Sequence, residues 1–131
     1  MSASDFFTGM LSTSRRPDEF LRRARFPQAK EGQAFAFREF GLRHGDFAAC
    51  AVAVVASRNT IRITVGGVAD KPTSREWPQL ERSALDDALN DLAWDLQARS
   101  DSQVSAAMRR HLVRRLGRQA VDAAVQALEI A

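Results

Sequence analysis

The residues whose types and spacing suggest catalytic chemistry lie in the stretch FREFGLRHGDFAACAVAVVA, residues 37–56. In it, Arg43-His44-Gly45-Asp46 runs directly into a strongly apolar segment. A histidine two residues from a carboxylate could act as a general base with an orienting partner. However, no serine or cysteine lies in a recognisable nucleophile turn, and proximity at i and i+2 is weak support for catalysis. We therefore interpret the stretch as a turn and predict no catalytic residue.

Neither a metal site nor a phosphate loop is predicted from the residue types and their spacing. The chain has one cysteine, Cys50, and two histidines, His44 and His111, which lie at opposite ends of the sequence. A metal site needs three or four convergent ligands, so no metal site is predicted. Gly66-Gly67 ends a predicted strand, but no helix start with a lysine follows it, as a phosphate loop requires. The pair instead predicts a bulge or a close backbone contact.

A stripe of arginines on one predicted helix is the feature that could bind nucleic acid. Arg110, Arg114 and Arg118 recur at i, i+4 and i+8, with Arg115 nearby, so they share one helix face that could meet phosphates. This helix has no aromatic residue for base stacking, and the net charge of the chain is only +3. A solvated face or a surface that meets a partner subunit is the simpler interpretation, and we do not expect nucleic acid as a partner.

The elements that must position these residues change in type along the chain. The first half is predicted to form short strands, because runs rich in β-branched and aromatic residues are separated by polar turns. A hairpin joined by SRNT is predicted, with Ile61, Ile63 and Val65 facing inward. Phe35 and Phe37 are expected on one face of the strand before it. The predicted strands are EFLRRARFP (19–27), AFAFREFGLR (34–43), AACAVAVVA (48–56) and IRITVGGVA (61–69).

The second half reads as helices. One apolar stripe recurs at intervals of four, three and four residues, as on one side of a helix, and it comprises Leu85, Leu89, Leu92 and Leu96. Ser83 is a candidate N-cap, with Asp86 and Asp87 in the first turn. A second helix is predicted from Ser105 to about Leu128, about 35 Å long at 1.5 Å per residue. Gly117 within it predicts a kink or close packing.

These elements predict a single α+β domain over residues 1–131. Its architecture is a small antiparallel sheet of three to four strands packed on a layer of about three helices. The N-terminal residues do not resemble a signal peptide, and the longest apolar run, about ten residues, is too short for a transmembrane helix. Together with the single cysteine, these features predict a cytoplasmic protein without a membrane partner.

Four segments in order resemble one known family. They are DFFTGMLSTSRRPDEFLRRARFP, FREFGLRHGDFAACAVAV, IRITVGGVADKPTSRE and SAAMRRHLVRRLGRQAV. Together they resemble the C-terminal domain of the FAD-binding (medium) subunit of molybdenum hydroxylases, the carbon monoxide dehydrogenase and xanthine dehydrogenase family. The similarity runs from about Asp5 to Ala124. The resemblance implies the same fold, three or four antiparallel strands with a three-helix layer.

The resemblance also implies a role in electron transfer. In such enzymes the molybdenum subunit hydroxylates a substrate, electrons pass through two iron–sulfur clusters, and FAD delivers them to an acceptor. The resemblance implies that this domain closes one side of the flavin site and contacts the molybdenum and iron–sulfur subunits. Leu21 matches a family leucine that packs by the flavin. Arg38 matches a position where xanthine dehydrogenases carry a lysine near FAD.

Some features depart from the family pattern. Met108 stands where the family usually has Tyr, and Glu39 stands where carbon monoxide dehydrogenase relatives often have Lys. The N-terminal FAD-binding domain with its glycine-containing pyrophosphate motifs is absent from this sequence. We therefore expect a chain that is not active alone, does not bind FAD tightly by itself, and tends to self-associate. The alternative is a free-standing binding or assembly module without redox activity.

Overall fold

The computed structural model of the chain describes residues 1–130. A four-stranded antiparallel sheet forms its centre, in the order β3-β4-β5-β6. A short N-terminal unit of one helical turn and a two-stranded ribbon precedes the sheet. The bounds are α1 Ala3–Phe6, β1 Phe7–Gly9, β2 Ser12–Thr13, β3 Gln33–Phe40, β4 Cys50–Ser57, β5 Thr60–Gly66, β6 Thr73–Pro78, α2 Arg82–Asp95 and α3 Ala106–Ile130.

The core lies between one face of the sheet and the two long helices. The sheet contributes inward-facing β-branched residues from β4 and β5, and α2 and α3 contribute leucine, valine and alanine residues. Helix α3 contacts β3, β4 and β5, and α2 packs on α3. The predicted α+β architecture is confirmed, because an antiparallel sheet with one apolar face needs a helical layer on that face to exclude water.

The predicted hairpin between β4 and β5 is also confirmed. Ile61, Ile63 and Val65 are buried on the helix side of the sheet, as their alternation requires. The turn is fastened by a hydrogen bond between the hydroxyls of Ser57 and Thr60, 2.9 Å apart. This hairpin could be read from the sequence because both strands and the turn are contiguous.

Two strand assignments differ from the sequence prediction. The strand predicted at residues 19–27 is wrong: this segment is irregular and exposed, and it pairs with no other strand among the described residues. A strand needs a neighbour for its backbone hydrogen bonds, and this segment has none in the described part of the chain. Conversely, Thr73–Pro78 forms the edge strand β6. The strand prediction missed it because its Ser, Arg, Glu and Pro carry little β propensity.

The start of α2 differs as well. The helix begins at Arg82, its N-cap is Glu81 without a side-chain capping bond, and no acidic residue lies in its first turn. The prediction of Ser83 as N-cap, with Asp86 and Asp87 in the first turn, is therefore wrong by about half a turn. The start of α3 was predicted to within one residue, and the Ser105 hydroxyl accepts a hydrogen bond from the Met108 amide at 3.1 Å.

Two glycines allow close approaches that position the core. Gly67 has φ +79°, and a Cβ there would collide with the carbonyl of Ala48, which confirms the predicted close backbone contact. A Cβ at Gly117 would lie 2.7 Å from Cδ2 of Leu89, so Gly117 lets α3 pack closely against α2. Among the described residues no helix is both long enough and apolar enough to cross a membrane.

Candidate functional site

The face of the sheet opposite the helices is open, and its β3–β4 half is apolar. Phe35 and Phe37 project from β3 on this face, with exposed fractions of 53% and 54%. Their partners across the strand pair are Val55 and Ala53. Two half-exposed phenylalanines beside a small aliphatic patch form an apolar surface that no described element of the chain covers. We call these four residues the phenylalanine patch.

The β5–β6 half of the same face is polar and satisfied within the chain. Arg62 and Glu76 face each other across the two strands, and Nε of Arg62 donates to Oε2 of Glu76 at 2.8 Å. The hydroxyls of Thr64 and Ser74 lie 2.8 Å apart. Cross-strand pairs of this kind stabilise a water-exposed sheet surface. The open face is therefore apolar only along β3 and β4.

Arg38, predicted as a cofactor contact, lies on the edge strand β3. It is exposed, and its register partner in β4 is Val52. Its Nη1 donates a hydrogen bond of 2.8 Å to the carbonyl of its neighbour Phe37. The remaining guanidinium donors have no partner among residues 1–130. The structure thus presents Arg38 as an accessible cation at the sheet edge.

Leu21, the other predicted cofactor contact, lies in the irregular segment between β2 and β3. Its exposed fraction is 62%, and its neighbour Phe20 and the nearby Phe26 are 83% and 88% exposed. The segment and the N-terminal unit line an open cleft of about 1020 Å³. Leu21 and Arg23 are among the lining residues, but Arg38 is not, so the cleft does not unite the two predicted residues.

The charged stretch that raised the catalytic hypothesis forms a turn. The amide of Asp46 donates to the carbonyl of Arg43 at 3.2 Å, and Gly45 has φ +87°, which a glycine adopts without strain. His44 and Asp46 are exposed, and neither side chain makes a hydrogen bond within the part of the chain that the structure describes. A backbone bond, rather than an Arg43–Asp46 ion pair, holds this turn.

The most elaborate polar cluster centres on Arg109, which the sequence reasoning did not single out. Its side chain is 6% exposed. Nη1 donates to the carbonyl of Ala49 at 2.8 Å and to that of Gly67, and Nη2 pairs with the carboxylate of Asp101. This Arg109 latch joins the start of α3 to the beginning of β4 and the end of β5. The quoted segment SAAMRRHL contained the arginine, but its carbonyl partners lie 42 and 60 residues away.

Two titratable groups beside the latch have shifted pKa values. Hydrogen bonds from the backbone amides of Val104 and Gln103 lower the pKa of Asp101, and the Arg109 guanidinium lowers it further. Burial raises the pKa of Cys50 to about 12, and the nearby Arg109 charge offsets only part of that effect. Cys50 therefore remains a protonated, apolar core residue, and this cluster has a structural role.

The arginine stripe of α3 is used within the fold. The Arg110 guanidinium lies 4.2 Å above the ring of Trp94, and Arg114 donates to Oδ1 of Asn90 at 3.2 Å. Arg118 binds the carboxylate of Asp86. These contacts fasten α3 to α2, so the stripe is a helix–helix interface rather than a free surface for phosphates. Among the described residues there is also no group of three His, Cys, Asp or Glu side chains that could hold a metal ion.

Comparison with known proteins relates this fold to a group of oxidoreductases. No family model matches the chain. Caffeine dehydrogenase subunit beta of Pseudomonas sp. (strain CBB1) is 33% identical over 69 residues, which are 53% of this chain and 23% of that protein.

Solved structures match nearly the whole chain. Quinoline 2-oxidoreductase of Pseudomonas putida 86 superposes with a TM-score of 0.83 at 23% identity, over 98% of this chain and 48% of that one. Reconstituted CO dehydrogenase of Oligotropha carboxidovorans superposes with a TM-score of 0.81 at 26% identity, over 92% and 46%. The chain thus spans about half the length of these solved chains. The matches confirm both the predicted fold and the resemblance seen in the sequence motifs.

Proposed function

Because the chain resembles the C-terminal domain of the FAD-binding subunit of molybdenum hydroxylases in motifs and in fold, we propose that it works as that part of such an enzyme. It would form one side of the flavin site in an electron-transfer subunit and would not be active alone. The observation that carries this proposal is the superposition of 92% of this chain, at 26% identity, on about half of a CO dehydrogenase chain.

The accessible residues are compatible with one wall of a cofactor site. Arg38 offers a cation whose guanidinium is only partly used by the Phe37 carbonyl, so it could pair with an anionic part of the cofactor. Leu21 is exposed and apolar, as a side chain that packs beside a flavin ring would be. FAD, when bound by the assembled enzyme, accepts and delivers electrons, and this chain's part is to position it.

The donor set is insufficient to hold FAD without a second wall. A dinucleotide site usually places the pyrophosphate at a glycine-rich turn that opens a helix. Gly66 ends β5, and Gly67 begins a loop that leads to a strand rather than to a helix. We therefore propose that an FAD-binding half supplies the pyrophosphate site, and that a molybdenum subunit and an iron–sulfur subunit complete the enzyme.

Titration of the purified chain with FAD, followed by calorimetry or flavin fluorescence, tests this division of labour. We expect a dissociation constant above about 1 μM, because each tenfold loss of affinity corresponds to about 1.4 kcal/mol of binding free energy. In the proposed site, the FAD-binding half supplies most of the contacts with the cofactor. Submicromolar binding by this chain alone would contradict the proposal that it is only one side of the site.

A second experiment tests assembly directly. A tagged form of the chain, expressed in its source cells, should purify with a flavoprotein that shows flavin absorption and with molybdenum. Arg38→Ala and Leu21→Ala should change the fluorescence or the reduction rate of that flavin. Arg58→Ala, at an exposed arginine in the β4–β5 turn, is the matched control and should leave both unchanged. A preparation without flavin and molybdenum would refute the proposed function.

A further inference from the structure

Strand β3 forms a free edge of the sheet. The strand order places β3 at one end, and it is eight residues long without a proline. At about 3.4 Å per residue, its edge presents about 27 Å of backbone. Proteins commonly protect such edges with prolines, bulges, charged side chains or a covering element. The opposite edge, β6, is six residues long and ends in Pro78, whereas β3 has no proline, and its two charged residues, Arg38 and Glu39, lie near its C-terminal end.

The backbone groups that face this free edge can be identified. The carbonyl of Phe40 accepts a hydrogen bond of 2.8 Å from the amide of Ala49, so the groups of Phe40 point toward β4. Successive residues of an antiparallel strand point to opposite sides. The amides and carbonyls of Phe35 and Phe37 therefore point outward. In agreement, the carbonyl of Phe37 accepts from the side chain of Arg38 instead of from a strand.

We propose that β3 pairs with β3 of a second copy of this chain, antiparallel and about a two-fold axis at Ala36. In this register Phe35 of each copy lies opposite Phe37 of the other, and the pair exchanges backbone hydrogen bonds. The four phenylalanines then form one continuous apolar strip across the joined sheets, which buries part of the phenylalanine patch of both copies. Cross-strand aromatic pairs of this kind are stabilising.

Charge and hydrogen bonding favour this register over its neighbours. It places Gln33 opposite Glu39 of the second copy, where an amide donor meets a carboxylate. The register centred on Arg38 would bring two guanidinium groups together, and the one centred on Phe37 would set Phe35 against Glu39. Like charges directly opposite are destabilising. The strand is thus self-complementary in only one of these three arrangements.

The chain's own preceding segment is a less suitable occupant of this edge. The amide of Gln33 donates to the carbonyl of Lys30 at 3.2 Å, so the chain already reverses there. Continuing this hairpin would set Phe26 opposite Phe37, but it would also place Arg25 opposite Arg38, which are two like charges. In the structure residues 22–29 remain exposed and unpaired with β3. The edge is therefore left to a second copy.

Analytical ultracentrifugation of the purified full chain over a concentration series tests the proposal. We expect a monomer–dimer equilibrium that Phe37→Lys weakens at least tenfold, since it removes the aromatic pair and adds a charge at the edge. Phe47→Lys is the control, because Phe47 is 98% exposed but lies outside β3. A chain that stays monomeric throughout overturns the proposal, as does an equal effect of both substitutions.

Cross-linking tests the register independently of the stability of the lysine variant. The two Ala36 residues meet at the proposed axis in a non-hydrogen-bonded pair, with Cβ atoms about 4.5–5.5 Å apart. Ala36→Cys should therefore give a disulfide-linked dimer under mild oxidation. Ala53→Cys, exposed on β4, should not. Cross-linking of Ala53→Cys alone would overturn the register. Both tests use the chain without flavin or other subunits, so their failure is separate from failure of the proposed function.

Discussion

Replacement of Arg109 by methionine tests whether the Arg109 latch stabilises the packing of α3 against β4 and β5. Methionine keeps much of the apolar stem but removes the guanidinium. The carbonyls of Ala49 and Gly67 then lose charged donors in a site where the arginine side chain is 6% exposed. Hydrogen bonds to charged groups contribute about 1.5–3 kcal/mol each, so losing both should lower the free energy of unfolding by about 3–6 kcal/mol.

Urea denaturation followed by circular dichroism measures this loss. In thermal denaturation of the same 131-residue chain, we expect the melting temperature to fall by about 10–20 °C. Arg110→Met is the matched control: the adjacent arginine stacks on the partly exposed Trp94, and its loss should cost less than about 1 kcal/mol. If Arg109→Met lost no more stability than Arg110→Met, the structural role assigned to the latch would be wrong.

Three further predictions concern residues beside the latch and between the two long helices. The carboxylate of Asp101 has a lowered pKa, so its contribution to the free energy of unfolding is present above pH 3.8, the ordinary pKa, and is lost as the pH falls further. Asp101→Asn should flatten that part of the acid denaturation profile. Cys50, with a pKa raised to about 12, should resist thiol reagents at mildly alkaline pH until the protein unfolds, and its contribution to stability should decline as the pH rises above 9.0; rapid labelling of the native chain would contradict this. Gly117→Ala should destabilise by about 1 kcal/mol despite the better helix propensity of alanine, because the new Cβ meets Leu89; combined with Leu89→Ala, it should cost less than the sum of the single changes measured in urea.

Elements whose signals are local could be predicted from the amino-acid sequence. The β4–β5 hairpin followed from two alternating runs around a short polar turn, and α3 followed from its apolar period and from Ser105 at its start. The turn at Gly45 and the close contact at Gly67 followed from glycine, which adopts positive φ without strain. These features depend on residues that are near each other in the chain, so a local sequence pattern is sufficient to predict them.

Features that depend on residues far apart in the chain are evident only from the three-dimensional contacts. Residues 19–27, predicted as a strand, have no neighbour within residues 1–130 for their backbone groups, whereas the polar Thr73–Pro78 becomes a strand because β5 offers it an edge. Arg109 is identified only when Ala49 and Gly67 converge on it. The arginine stripe becomes a helix interface because α2 lies against it. Burial and hydrogen-bond satisfaction act across the whole fold, and no local pattern of residues states where a chain will meet itself.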